Sequence, residues 1–116
     1  MANARSEPQT TYDVFATIDM RVGRVIAAEP FPQAWKPALR LTIDFGELGE
    51  KRLSAQVAHY DPALLVGRLV IAVVNFPPRQ IGPFVSEVLV LGVPDDSGRV
   101  VLLQPDADVR VGGRVF

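Results

Sequence analysis

Two neighbouring stretches of this chain alternate apolar and polar side chains strictly. In "ALRLTIDF", Leu39, Leu41, Ile43 and Phe45 fall on one face, and Arg40, Thr42 and Asp44 on the other. In "KRLSAQV", Leu53, Ala55 and Val57 fall on one face, and Arg52, Ser54 and Gln56 on the other. A period of two belongs to a strand with one side in a core and one side in water. The "GELGE" between them reads as a turn.

The flanking segments extend this pattern. "MRVGRVIAAE" reads as a strand whose apolar phase slips at Gly23, which points to a glycine bulge. Before it, Thr10 or Thr11 caps a short helix reaching about Ala16, with Val14 and Phe15 facing inward. In "HYDPALLVG", Asp61 is an N-cap, Pro62 suits the first helical turn and Gly67 ends the helix. "RLVIAVVN" is a continuous apolar strand, and "FVSEVLVLG" is a fifth. The "FPPRQIGP" between them cannot be strand interior, because proline lacks the ladder donor. "DDSG" is a turn, and "RVVLLQ" with "DVRVGGRVF" suggests a closing hairpin. Three strands, a short helix and two strands is the element order of the OB-fold. The expectation is an all-β protein with short helices: a five-stranded Greek-key OB-fold barrel over residues 12–116, with N- and C-terminal extensions. Residues 1–11 are expected to be disordered. Such barrels bind their ligands on the face of strands two and three and on the rim loops joining strands one–two and four–five. The proline-rich connection falls on that rim.

Composition excludes several functions. The 116 residues include no cysteine, which removes disulfides, thiolate metal sites and a cysteine nucleophile. The polar "MANARSEPQT" has no signal-peptide core, and no apolar run approaches the ~20 residues of a membrane span, so no membrane insertion and a cytoplasmic location are expected. Net charge is −1, but residues 20–80 hold eight basic against five acidic residues, and the rest of the chain four against eight. A locally basic surface on an acidic body follows.

The catalytic inventory is thin. His59 is the single histidine and has no nucleophile at a recognisable spacing. Asp95 and Asp96 belong to the turn. No phosphate-cradling glycine loop or metal-ligand cluster is present, so neither enzymatic activity nor a cofactor nor a metal is expected. Binding is better served. Arg52, Ser54 and Gln56 share one outward face, and Arg40 and Thr42 the next. Trp35 and Lys36 lie on the first rim loop, where Trp35 is either core or a stacking surface. On the second rim connection, Asn75 either caps the turn or binds ligand, and Arg79 follows it. Ser86 and Glu87 are adjacent in a strand and therefore point to opposite faces. A further constraint lies in "LVIAVV", "VLVL" and "VVLL", which are apolar on both faces where a monomeric barrel needs alternation. The expectation is a two-fold dimer burying their outer sides, with Val90 among the outward residues.

The motifs "DMRVGRV" (19–25), "SAQV" (54–57), "VVNFPP" (73–78) and "SEVLVLG" (86–92), in this order, resemble the tRNA-binding domain family. Within it, "FPQAWKPALRLTIDFG" (31–46), "NFPPRQI" (75–81) and "LLQPD" (102–106) look most like its CsaA branch. The resemblance covers residues 13–116. It implies an OB-fold homodimer binding tRNA, or a chaperone-like affinity for unfolded precursor proteins and the export machinery. By motif, the family's polar binding positions fall on Ser54, Asn75, Ser86 and Glu87. For RNA, Lys36, Arg40, Arg52 and Arg79 would meet phosphates, Trp35 or Phe76 would stack, and Ser54 and Asn75 would hydrogen-bond. For peptide, Trp35, Phe76, Ile81 and Phe84 would line an apolar pocket.

Overall fold

The computed structural model describes residues 5–116; residues 1–4 of the expected N-terminal segment lie outside the described residues. The two alternating stretches become β2 (Leu39–Asp44) and β3 (Glu50–Ala55), paired antiparallel with Leu41 opposite Leu53 and Arg40 opposite Ser54. Their inward residues, from Leu39 to Phe45 and from Leu53 to Val57, are buried. β1 (Met20–Pro30) precedes them, and α2 (Pro62–Leu65) and β4 (Leu69–Val73) follow. Asp61 caps α2 by accepting from the Ala63 amide at 3.0 Å, and Pro62 occupies the first turn, where a missing N–H has no partner to lose.

β1 is long enough to serve two neighbours. Its first half, Met20–Arg24, pairs with β4, and the remainder pairs with β2. The bulge expected at Gly23 lies instead between Val25 and Ala27 in the ladder to β2, while Gly23 stays in register opposite Val70. Gly23 answers a need for space. A Cβ there would sit 2.4 Å from Ile43 Cγ2 and 2.7 Å from Phe45 Cε1, so these side chains at the end of β2 and just after it pack directly on its backbone.

The expected fifth strand is divided. Residues Phe84–Ser86 (β6) turn back around Gly82, at φ +57°, onto β5 (Arg79–Ile81), while Leu89–Val90 (β7) pairs with β4. The proline-rich segment thus contributes a three-residue strand. Its prolines flank that strand rather than occupy it, so no ladder donor is lost. Sheet order is β3-β2-β1-β4-β7. The break between β6 and β7 closes the circle onto β3. The Glu87 amide donates to the Arg52 carbonyl at 2.8 Å, the Arg52 amide donates to Glu87 Oε1 at 2.9 Å, and the Ser54 amide donates to Ser86 Oγ at 3.1 Å. The result is a nearly closed five-stranded antiparallel barrel, an OB-fold.

The C-terminal hairpin also differs from expectation. β8 (Gly92–Pro94) pairs with β9 (Val100–Leu102) across the "DDSG" turn, where hydrogen bonds from Ser97 and Arg99 hold the Asp95 carboxyl down to about 2. The tail runs instead beside β1. The Gly112 amide donates to the Val22 carbonyl at 2.7 Å and the Val22 amide to the Gly113 carbonyl at 2.9 Å. This edge is open because β2 covers only the second half of β1. Val90, expected outward, is half-buried against the core, as Val100 is, and the even-numbered Leu102 lies within it. The odd residues Leu89, Val93, Val101 and Leu103 are the exposed ones.

At the other end, Thr11 caps α1 (Tyr12–Ala16) by accepting from the Val14 amide at 3.3 Å. The expected inward pair is corrected: Val14 is exposed and only Phe15 is half-buried, the step of about 100° between successive helix residues turning one toward the barrel and the other out.

Candidate functional site

The barrel closure creates a cleft. β5 stands away from β3, leaving two adjoining depressions of about 240 Å³ each. Ser54, Arg79 and Ile81 line both and form the divide between them. Phe76, Pro77, Ser86, Glu87, Val88 and Leu89 complete the first. Ala34, Trp35, Lys36, Ala38 and Gln56 complete the second. An aromatic ring therefore stands at each end: Phe76 at 43% exposure and Trp35 at 96%. The choice for Trp35 between core and surface falls to the surface.

On the other side of the closure, Arg40 and Arg52 line a separate depression of about 390 Å³ with Phe84 and Glu87. Their guanidiniums lie 6.0 and 4.7 Å from the Phe84 ring centroid, and Phe84 packs edge-on against Phe31 at 5.3 Å. Phe84 is buried under these cations and does not line the cleft with Phe76. Arg40 also pairs with Glu29 at 3.1 Å. Among the described residues, Lys36, Arg52 and Arg79 make no ion pair.

Asn75 goes elsewhere. Its Oδ1 accepts from the Asp19 amide at 2.9 Å and its Nδ2 donates to the Thr17 carbonyl at 2.8 Å, which ties the approach to β1 onto the end of β4. The neighbouring Asp19 carboxyl is held below the usual carboxylate range by its hydrogen bond from Arg21. Ser86 and Glu87 do double duty. Each lines the cleft while one of its oxygens fills an edge donor of β3. His59 lies apart, with Nε2 2.9 Å from the Val100 carbonyl and its ring against Tyr60.

Size alone does not single out this cleft. A larger depression, about 610 Å³, lies between the turn after β2 and the C-terminal tail, lined by Arg21, Arg110 and Gly112. The cleft differs in combining exposed aromatic rings with unpaired cations. Sequence reasoning missed Ala34 and Ala38, which line the second depression beside Trp35. Their flanking of a loop tryptophan was the available signal. Leu89 and Val88 were read only as strand residues.

Residues 20–114 match the family described as "Putative tRNA binding domain". Two solved structures are similar over nearly the whole chain. The chaperone CsaA of Bacillus anthracis is 47% identical with a TM-score of 0.88, covering 94% of this chain and 100% of its own. The CsaA chaperone protein of Picrophilus torridus is 45% identical with a TM-score of 0.88, covering 93% and 100%. Methionine–tRNA ligase 1 of Sorangium cellulosum is 40% identical over 109 residues, which is 93% of this chain and 15% of the ligase. The chain thus spans about one-seventh of that curated relative.

Proposed function

This chain belongs to the tRNA-binding domain family and has the CsaA fold, and on that premise we propose that it is a non-enzymatic, cytoplasmic RNA-binding protein that takes tRNA at the rim cleft. The observation that supports this reading is the set of cations around the cleft. Lys36 and Arg79 line it and Arg52 lines the neighbouring depression across the closure, and among the described residues none of the three is ion-paired to a carboxylate. Phosphates are natural counter-ions for such groups, and the ions they release supply most of the affinity. The net charge of −1 keeps the rest of the surface from attracting RNA indiscriminately.

Affinity for one tRNA, measured across a salt series, tests the reading. Arg79→Ala and Arg52→Ala are expected each to weaken binding and to lower the slope of log K against log salt by roughly 0.7–0.9. Unchanged slopes in both variants overturn it.

The second reading is an export chaperone that binds unfolded precursor segments. The apolar lining from Phe76, Pro77, Ile81 and Leu89 favours it, as does the likeness to proteins described as chaperones. Against it stands the state of the β3 edge. An added strand needs free edge donors, and the amides of Arg52 and Ser54 are already bound by Glu87 and Ser86. In either reading the protein works as a homodimer, joined through the exposed odd-numbered residues of β7, β8 and β9.

A further inference from the structure

Trp35 folds into the open. A tryptophan at 96% exposure leaves a large apolar ring in water, and folding gains nothing from it. Phe76, at the other end of the cleft, is also largely uncovered at 43%. Between the two rings, Arg79 and Ile81 stand on one wall and Ser54 on the other, and Lys36 follows Trp35. The order along the cleft is ring, cation, ring.

We propose that the cleft takes two successive unpaired nucleotides of a single RNA strand, one base against Phe76, the next against Trp35, with the linking phosphate on Arg79 and Lys36. This rests on the RNA reading and makes it narrower. Two equal depressions sharing one divide fit two equal units joined by a short link. The divide carries the positive charge, where the link of a dinucleotide is negative. Stacking needs a free base face, and the bases of a duplex spend their faces on each other. Ser54 and Gln56 lie within the cleft to meet base edges, but both are short or mobile polar groups suited to many bases. The proline-flanked loops hold the two rings apart without the ligand, which lowers the ordering lost on binding.

Trp35 is the single tryptophan of the chain, so its fluorescence reports this subsite alone. The full chain is titrated with a short oligouridylate, with a blunt RNA duplex of equal charge, and with an intact tRNA. Expected are quenching and saturation with the oligouridylate and little quenching with the duplex. Trp35→Ala and Phe76→Ala, followed by filter binding, should each weaken oligouridylate about ten-fold with no change in salt slope, since no phosphate contact is lost. Trp35→Phe should restore most of the affinity. At its exposure, Trp35 can be replaced without loss of the fold, which circular dichroism checks. If Trp35→Ala and Phe76→Ala bind oligouridylate as the parent does while tRNA binding remains salt-dependent, the two-base cleft falls and the RNA reading stands. Equal quenching by the duplex also overturns the cleft. Quenching by an uncharged apolar peptide, with none by any RNA, overturns both.

Discussion

Glu87 joins two tasks that are usually kept apart. One carboxylate oxygen replaces a strand partner for the Arg52 amide, and the side chain borders both the cleft and the basic depression. Its own amide returns a bond to the Arg52 carbonyl, so the residue acts as one rung of a ladder that the divided strand no longer supplies. Glu87→Ala should cost about 1 kcal/mol, and Glu87→Gln less, because an amide oxygen still accepts from Arg52. Thermal denaturation checks the order: a loss of about 4 °C or more for alanine is expected in a domain of this size. Melting of both variants with the parent would leave Glu87 without a structural part. Asn75 shows the opposite balance. The family motif marks it as a binding position, yet both ends of its amide are held by Thr17 and Asp19.

β1 is the element on which the barrel turns. It carries β4 and the C-terminal tail on its first half and β2 on its second, with the bulge at Ile26 near the changeover. Gly23 lets Ile43 of the neighbouring strand and Phe45 just after it lie on its backbone. Gly23→Ala forces those two rigid, buried side chains to move and should cost about 2 kcal/mol, as overpacking in a dense core does. A urea titration should show a lower midpoint with an unchanged m-value. A midpoint equal to the parent's would mean that β1 moves aside freely. The glycine was visible in the sequence as a break of phase, but a break of phase cannot tell an extra residue from a missing side chain.

At the scale of the whole molecule, the outer face of β7, β8 and β9 is the open question of assembly. Val93 and Val101 are direct cross-strand partners, at 50% and 39% exposure, and Leu103 and Leu89 continue their face. No element of the described chain covers them, since all four remain more than a third exposed. A second copy placed by a two-fold axis would cover the same patch on both subunits at once. Sedimentation at low micromolar concentration should give a dimer, and Val101→Arg should shift it to monomer or to aggregate. A well-behaved monomer in the parent protein overturns the assembly. Val90→Arg is the wrong probe, because Val90 packs against the core.

What could be read from the chain was local in origin. Alternation in β2 and β3 reports burial directly, since neighbouring side chains of a strand must point to opposite sides. The cap at Asp61 and the turn at Asp95 are likewise made by residues a few positions apart. Element order then leads to the barrel, and motif order to the family. The cleft was not legible in the same way. The sequence shows Ser54, Phe76, Arg79, Ser86 and Glu87 as candidates, but it cannot show that Ser86 and Glu87 break the fifth strand to close on β3. Nor can it show that the tail takes the open edge of β1, or that Trp35 stays in water. Those outcomes depend on which edge donors remain unpaired once the strands have met. That is a balance among residues thirty to ninety positions apart in sequence, as in the 32 between Ser54 and Ser86 and the 91 between Arg21 and Gly112. Only the closed barrel brings such partners within reach.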